Sequence, residues 1–273
     1  TMIKNRMILI LTALLFSTAA FSQTPDDVNQ PKLLRDGFFL SGEDGTLTRQ
    51  ADSEQWLFEL DSDVGDGKNT INAGDKLDVL PSAALEKLAA DANQHFNKSY
   101  RLWGTVTKYD KKNFIFPVYF LPLSNAKPAE TKPVQADNSK QQAKPSINEP
   151  NDELKIPQRI LDKLKSRPIV RTEQLKKGME LKEDSILADR TGFIVKQDDG
   201  QYVFTLDAFG WNIERISFPL LPCQILELAI YEQSGELENI RFRAAGILTR
   251  YKGNNYFLLE RAVRVYSYGN FTN

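Results

Sequence analysis

Hydrophobic and polar positions alternate in short runs along much of this chain, and stretches of helical spacing are few. Trp56, Phe58 and Leu60 fall on one side of the run Gln55–Asp61, with Leu57 and Glu59 on the other. This period of two predicts a half-buried strand. A strand is also predicted over Thr46–Gln50, and the acidic-polar tip Ala51–Glu54 joins the two as a hairpin. A third strand is predicted over Lys76–Leu80. Pro81-Ser82 then opens a helix, in which Ala83, Leu85, Leu88 and Ala92 lie near helical spacing. Two more strands, Arg101–Tyr109 and Phe114–Leu121, flank the polar turn Asp110-Lys111-Lys112.

The same pattern returns in the second half. Gln55-Trp56-Leu57-Phe58 matches Gln201-Tyr202-Val203-Phe204, and Leu60-Asp61 matches Leu206-Asp207. VLPSAALEKL matches LLPCQILELA, which pairs Leu80-Pro81 with Leu221-Pro222 and Glu86 with Glu227. GTVTKYDKKNFIF matches GILTRYKGNNYFL without a gap, so Gly104, Thr107, Tyr109 and Asn113 fall on Gly246, Thr249, Tyr251 and Asn255. Three matched blocks in one order predict an internal duplication. Asp199-Gly200 gives the second hairpin a stronger turn signal, and Gly253 can supply a positive φ in the last turn.

The order strand-strand-strand-helix-strand-strand resembles the OB-fold, a five-stranded Greek-key barrel. Gly104 and Gly246 fall in the middle of the fourth strand, where a tightly coiled small barrel needs a bend without a side chain. The expected fold is therefore mainly β with minor α: two repeated five-stranded OB-like Greek-key barrels, each with one helix between strands three and four, joined by a Pro-rich linker. Another small β-barrel or a β-sandwich is the rival. The blocks DRTG, YVFTLD, LLPCQILE and GILTRYKGNNYFLLERA also resemble exported bacterial proteins of the planctomycete type, a resemblance that implies no activity.

Residues 124–153 carry four prolines, no aromatic residue, and only Val134 and Ile147 as larger apolar side chains. Such a segment buries too little surface to offset the entropy of ordering, so it reads as an extended linker. It separates a first barrel, residues 33–123, from a second unit, residues 154–270. In the second unit Ile160, Leu161 and Leu164 form one short apolar stripe between Pro157 and Pro168, expected to be a helix packed on the second barrel. The linker would let the barrels move independently and hold two sites for a bivalent partner. Residues 1–22 read as a signal peptide: Lys4 and Arg6, then an apolar run Met7–Phe16, then the small-residue site Ala20-Phe21-Ser22. The run is too short to span a bilayer of about 30 Å, so no transmembrane span is expected in the mature chain. The expected location is periplasmic or secreted, with an uncleaved inner-membrane anchor as the alternative.

Composition narrows the chemistry. Hydrophobic residues make up 41% of the 273 residues and charged residues 26%, which suits a packed core. The net charge is −1, and loss of Lys4 and Arg6 with the signal peptide takes it to −3. That balance counts against nucleic acid as a partner. One cysteine, Cys223, and one histidine, His95, exclude internal disulfides and His-pair metal sites. Asp61-Ser62-Asp63-Val64-Gly65-Asp66-Gly67 begins like a calcium loop. It lacks Gly at the sixth position and Glu at the twelfth, and so reads as an acidic loop, with a weak cation site as the other reading. Cys223 aligns with Ser82 at a helix start, where it is either a buried filler or an activated thiol. No P-loop, nucleophile elbow, zinc-protease or dinucleotide motif is present.

The expectation is thus a non-enzymatic, cofactor-free, exported binding or adaptor protein that meets an envelope protein, peptide or glycan through a barrel face. Single-stranded nucleic-acid or oligosaccharide binding is the alternative. On the OB template the ligand face uses strands two and three and the loops beside them. The candidate ligand residues there are Trp56, Tyr109, Lys111, Lys112, Tyr202, Arg250, Tyr251 and Lys252. Aromatic rings with cations nearby suit stacking on bases or sugars, but the same rings also suit the core. Pro117 in the fifth strand of the first repeat favours an edge, so the first barrel is expected to be open there and able to accept a strand.

Overall fold

The computed structural model describes residues 33–50, 53–95, 98–123, 167–170, 184–207 and 216–266. The expected signal peptide, the expected linker and the stripe Ile160–Leu164 lie outside the described residues. In the first half, strands β1 (Phe39–Arg49), β2 (Trp56–Leu60) and β5 (Lys76–Val79) precede helix α1 (Ala83–Gln94), and β6 (Ser99–Tyr109) and β7 (Lys112–Pro122) follow it. They form a closed barrel in the order β1-β2-β5-β7-β6. Only the β5–β7 contact is parallel, through Asp78–Phe114 and Val79–Ile115. This is the OB-fold-like connectivity that the element order implies. The long loop between strands two and three adds a small hairpin of β3 (Val64–Gly65) and β4 (Thr70–Ile71), which the sequence pattern does not reveal.

The second half runs β8 (Ser185–Lys196), β9 (Tyr202–Leu206), β10 (Ser217–Pro219), α2 (Gln224–Ser234), β11 (Arg241–Tyr251) and β12 (Asn254–Arg264). Its sheet has the order β10-β9-β8-β11-β12. The parallel contact that closes the first barrel shrinks here to one bridge, Leu220–Phe257, with the Leu221 amide donating to the Phe257 carbonyl at 2.9 Å. The expected opening at Pro117 is therefore corrected. The first barrel closes two residues upstream of it, at Val79–Ile115, Pro117 lies opposite Gly104, and its carbonyl accepts from the Ser82 hydroxyl. The second half is the less closed of the two.

Phe58, Leu60, Tyr100, Leu102 and Ile115 fill the first core, and Phe204, Phe218, Phe242 and Phe257 the second. Gly104 and Gly246 each sit where the register of the fourth strand shifts. A Cβ at Gly104 would come within 2.7 Å of the Phe116 carbonyl oxygen, and one at Gly246 would collide with that of Leu258. Close approach of two backbones is what requires glycine at both places. Ser82 caps α1 by accepting from the Leu85 amide at 3.0 Å. Cys223 occupies the same place on α2 and makes no side-chain cap.

The two halves pack on each other, so the expectation that they move independently does not hold. Leu80 and Phe116 belong to the second half's core cluster, whereas Tyr251 belongs to the first's. The contacts are reciprocal. The Thr107 hydroxyl donates to the Pro222 carbonyl at 2.8 Å, and Thr249, its counterpart, accepts from the Ala83 amide at 3.0 Å. Each helix start therefore meets the fourth strand of the other half. Asp36 accepts from Gln224 at the start of α2, and Asp184, bonded to the Thr249 hydroxyl at 2.6 Å, lies at the start of α1. Carboxylates at helix N-termini satisfy amides that the helix itself leaves unpaired.

Candidate functional site

Few of the eight expected ligand residues face solvent as a group. Trp56 is 7% exposed and points into the first core, and Tyr251 is 8% exposed in that same core. Neither can offer a ring for stacking, which corrects that expectation. Tyr109 and Tyr202 are half-buried and pack against the second core. Burial, then the neighbouring Tyr202, pushes the Tyr109 hydroxyl above its ordinary value. Lys252 is held in an ion pair with Glu54 at 2.5 Å, and its amide donates to Glu86. Arg250 is half-buried, and Lys111 and Lys112 remain exposed at the hairpin tip. The hairpin tips that would flank an OB ligand face thus bear on the opposite half, because their aromatic residues find an apolar surface there.

A groove does exist on the template face, but other residues build it. It lies on the outer side of β8, β9 and β10 and encloses about 560 Å³. That volume lies within the range of about 300–1,000 Å³ usual for small-molecule sites. Sheet register places its residues in rows. One row runs Arg241, Phe193, Thr205, Ser217 across β11, β8, β9 and β10, and the next holds Val195 and Val203. Val203 is only 4% exposed and forms the floor. The Thr205 and Ser217 hydroxyls lie 2.9 Å apart and bond to each other. Asp207 pairs with Arg241 at 3.0 Å, and the Arg241 guanidinium lies 5.7 Å from the centre of the Phe193 ring. The amide side chains of Gln197 and Asn239 complete the rim.

The described residues of the first half present a different surface at the equivalent place. Its equivalent row is Ser99, Thr46, Glu59, Lys76, in which Lys76 and Glu59 form an ion pair at 3.3 Å. The groove residues escape sequence reading because Val203 adjoins the core residue Phe204. An outward valine in an apolar strand looks like another core position. The usable signal is the mismatch between repeats, Phe193 for Thr46 and Ser217 for Lys76.

Other candidate chemistry is occupied by structure. Asp66 accepts from the backbone amides of Arg35, Lys68 and Asn69 at 2.8–2.9 Å, which draws its carboxyl down to about 2. Asp63 accepts from Ala73, and Asp75 from Asn72. Among the described residues no three His, Cys, Asp or Glu side chains converge as metal ligands. Cys223 is buried, and desolvation pushes its thiol up to about 11, opposite to an activated nucleophile. His95 ends α1 beside Asp91. No described helix is long and apolar enough to cross a membrane.

The chain matches no protein-family model and no curated protein sequence. Among solved structures it is similar to a deletion mutant of the single-stranded DNA binding protein from Thermus aquaticus. That likeness covers 86% of this chain and 97% of the other, at 9% identity and a TM-score of 0.21. Similarity at that level carries no argument about ligand or mechanism.

Proposed function

We propose that this is an exported, non-enzymatic binding protein built from two OB-like barrels fused into one body. Its second barrel presents the binding face, and the first supports it. The observation that carries this reading is the groove on β8–β10, set beside the ion-paired surface at the same place in the first half. Fold alone does not assign function, but a groove in one repeat, where the matching row of the other holds an ion pair, is a local difference that packing does not explain. The partner belongs to the bacterial envelope: a protein, a peptide or a glycan. The absence of a catalytic motif and the raised thiol of Cys223 support a non-enzymatic role.

One observation favours single-stranded nucleic acid as a second reading. Arg243 is exposed on the same strand as Arg241, beside Thr191, and among the described residues no carboxylate pairs with it. Binding of that kind would weaken steeply with salt.

The test is capture from envelope extract by the full chain, by Thr205→Trp, which fills the groove, and by Glu59→Trp at the matching place in the first half. A component retained by wild type and Glu59→Trp but lost from Thr205→Trp supports the reading. Equal retention by all three overturns it.

A further inference from the structure

We infer that the groove on β8–β10 takes an uncharged, hydroxyl-rich chain, a short neutral oligosaccharide. This rests on the groove being the binding face.

The backbone decides part of it. The strands that form the floor are paired with each other, Phe193 with Thr205 and Thr205 with Ser217. Both sides of β8 and β9 are paired within the sheet, and β10 has a free side only along the edge away from β9. A peptide laid across this floor therefore meets no free ladder, and strand addition is not available to it there. Recognition has to come from side chains.

Charge decides the next part. Among the described residues the lining includes one carboxylate, Asp207, and no lysine or arginine. Arg241 stands at the edge and is already held by Asp207. A phosphodiester chain entering the groove would face that carboxylate, and Arg243, the exposed cation on the same strand as Arg241, is not among the described lining residues.

The rest is the match between lining and ligand. Phe193, Val195 and Val203 give an apolar floor for the C–H face of a sugar ring. Thr205 and Ser217 can each donate and accept, Gln197 and Asn239 each carry both a donor and an acceptor end, and Asp207 accepts only. Sugar hydroxyls likewise donate and accept. The Asp207–Arg241 pair places an acceptor and a set of donors side by side, which fits two neighbouring hydroxyls on one ring.

The experiment uses the full chain on an array of neutral hexose, pentose and N-acetylhexosamine oligomers, with oligothymidylate and acidic oligosaccharides on the same array. Hits are followed by titration calorimetry at low and high salt. The expected result is a neutral oligosaccharide whose affinity hardly changes with salt. It should fall about tenfold or more in Asp207→Asn, in line with the loss of hydrogen bonds to a charged acceptor. Glu59→Gln, in the first half, should leave it unchanged, and thermal unfolding of each variant checks that it folds. If no neutral oligomer binds, or if one binds equally well to Asp207→Asn and Thr205→Trp, the inference is overturned. Oligothymidylate or a peptide that binds wild type and is lost from Thr205→Trp would overturn the ligand class but keep the groove as the binding face. Binding of every probe unchanged in Thr205→Trp would overturn both.

Discussion

The outer faces of the two sheets occupy the same place in the same topology, yet they have opposite character. On the first, Thr46, Glu59 and Lys76 form a polar row tied by an ion pair. On the second, Phe193, Thr205 and Ser217 form the wall of a groove above Val203. The inner faces do not differ in this way. Both use large apolar side chains, a glycine at the bend of the fourth strand, and a helix start seated on the other half. The two frameworks therefore share their packing and differ where packing imposes nothing. The proposed function rests on that difference, with the second half presenting the binding face and the first supporting it.

That division of labour requires the halves to be one cooperative body, and Tyr251 is the place to break it. The residue belongs to β11 but is buried in the first core. Tyr251→Ala should cost about 3–4 kcal/mol, the usual range for truncating a buried aromatic. Denaturant unfolding followed by both tryptophan fluorescence and circular dichroism should still show one transition, at a lower midpoint. Two separated transitions would mean that the halves are independent. The Tyr251 hydroxyl is buried without a hydrogen-bond partner. Tyr251→Phe should accordingly stabilise the protein by about 1 kcal/mol, since it removes an unsatisfied polar group.

The two glycines sharpen the inner half of the comparison. Gly246→Ala and Gly104→Ala should each cost about 2–3 kcal/mol, the range for overpacking a filled site. Gly246 should be the more sensitive, because its Cβ would meet the partner backbone more closely. Urea midpoints measured on the pair would decide it. A tolerant Gly104 beside an intolerant Gly246 would show that the frameworks are less alike than their register suggests.

How much of this was legible in the sequence depends on whether a residue's role is set by its own strand or by a neighbour. Phe58, Leu60 and Phe204 announce themselves by alternation, and Gly104 and Gly246 by recurring in mid-strand. The helix starts at Ser82 and Cys223 follow from Pro81 and Pro222. Tyr109 and Tyr251 were ambiguous because an aromatic residue at a hairpin tip looks the same whether it meets ligand, solvent or another domain. The caps from Asp36 and Asp184 were invisible, since each acts on a helix far away in the chain, 188 residues away for the Asp36–Gln224 contact. The groove was missed because its apolar floor imitates core.

The cross-caps themselves are unequal, and pH exposes the inequality. Desolvation raises the Asp184 carboxyl above its ordinary value, more than Thr249, Arg167, Lys87 and the Ala83 amide lower it. Its stabilising share is therefore full below the ordinary aspartate value and is lost as pH rises through the raised one. Asp184→Asn keeps the acceptor oxygen and removes the charge. It should raise the melting temperature slightly at neutral pH and leave it unchanged near pH 3. An equal change at both pH values would show that desolvation of the charge is not what limits this contact.

The smallest stability change is expected from rewriting the outer face, and it tests the comparison most directly. Replacing Thr46, Glu59 and Lys76 by the residues at the matching places, as Thr46→Phe, Glu59→Thr and Lys76→Ser, removes one exposed ion pair. Such pairs are worth about 0–1 kcal/mol. The triple variant should unfold within about 1 kcal/mol of wild type, because nothing on the inner face has moved. The reverse graft, Phe193→Thr, Thr205→Glu and Ser217→Lys, should be equally mild for stability and should abolish ligand capture. If the reverse graft binds as wild type does, the two faces differ by drift and the groove is not the reason. If it fails to bind while the first graft gains capture of the same ligand, the row itself carries recognition, and the barrel beneath it is interchangeable.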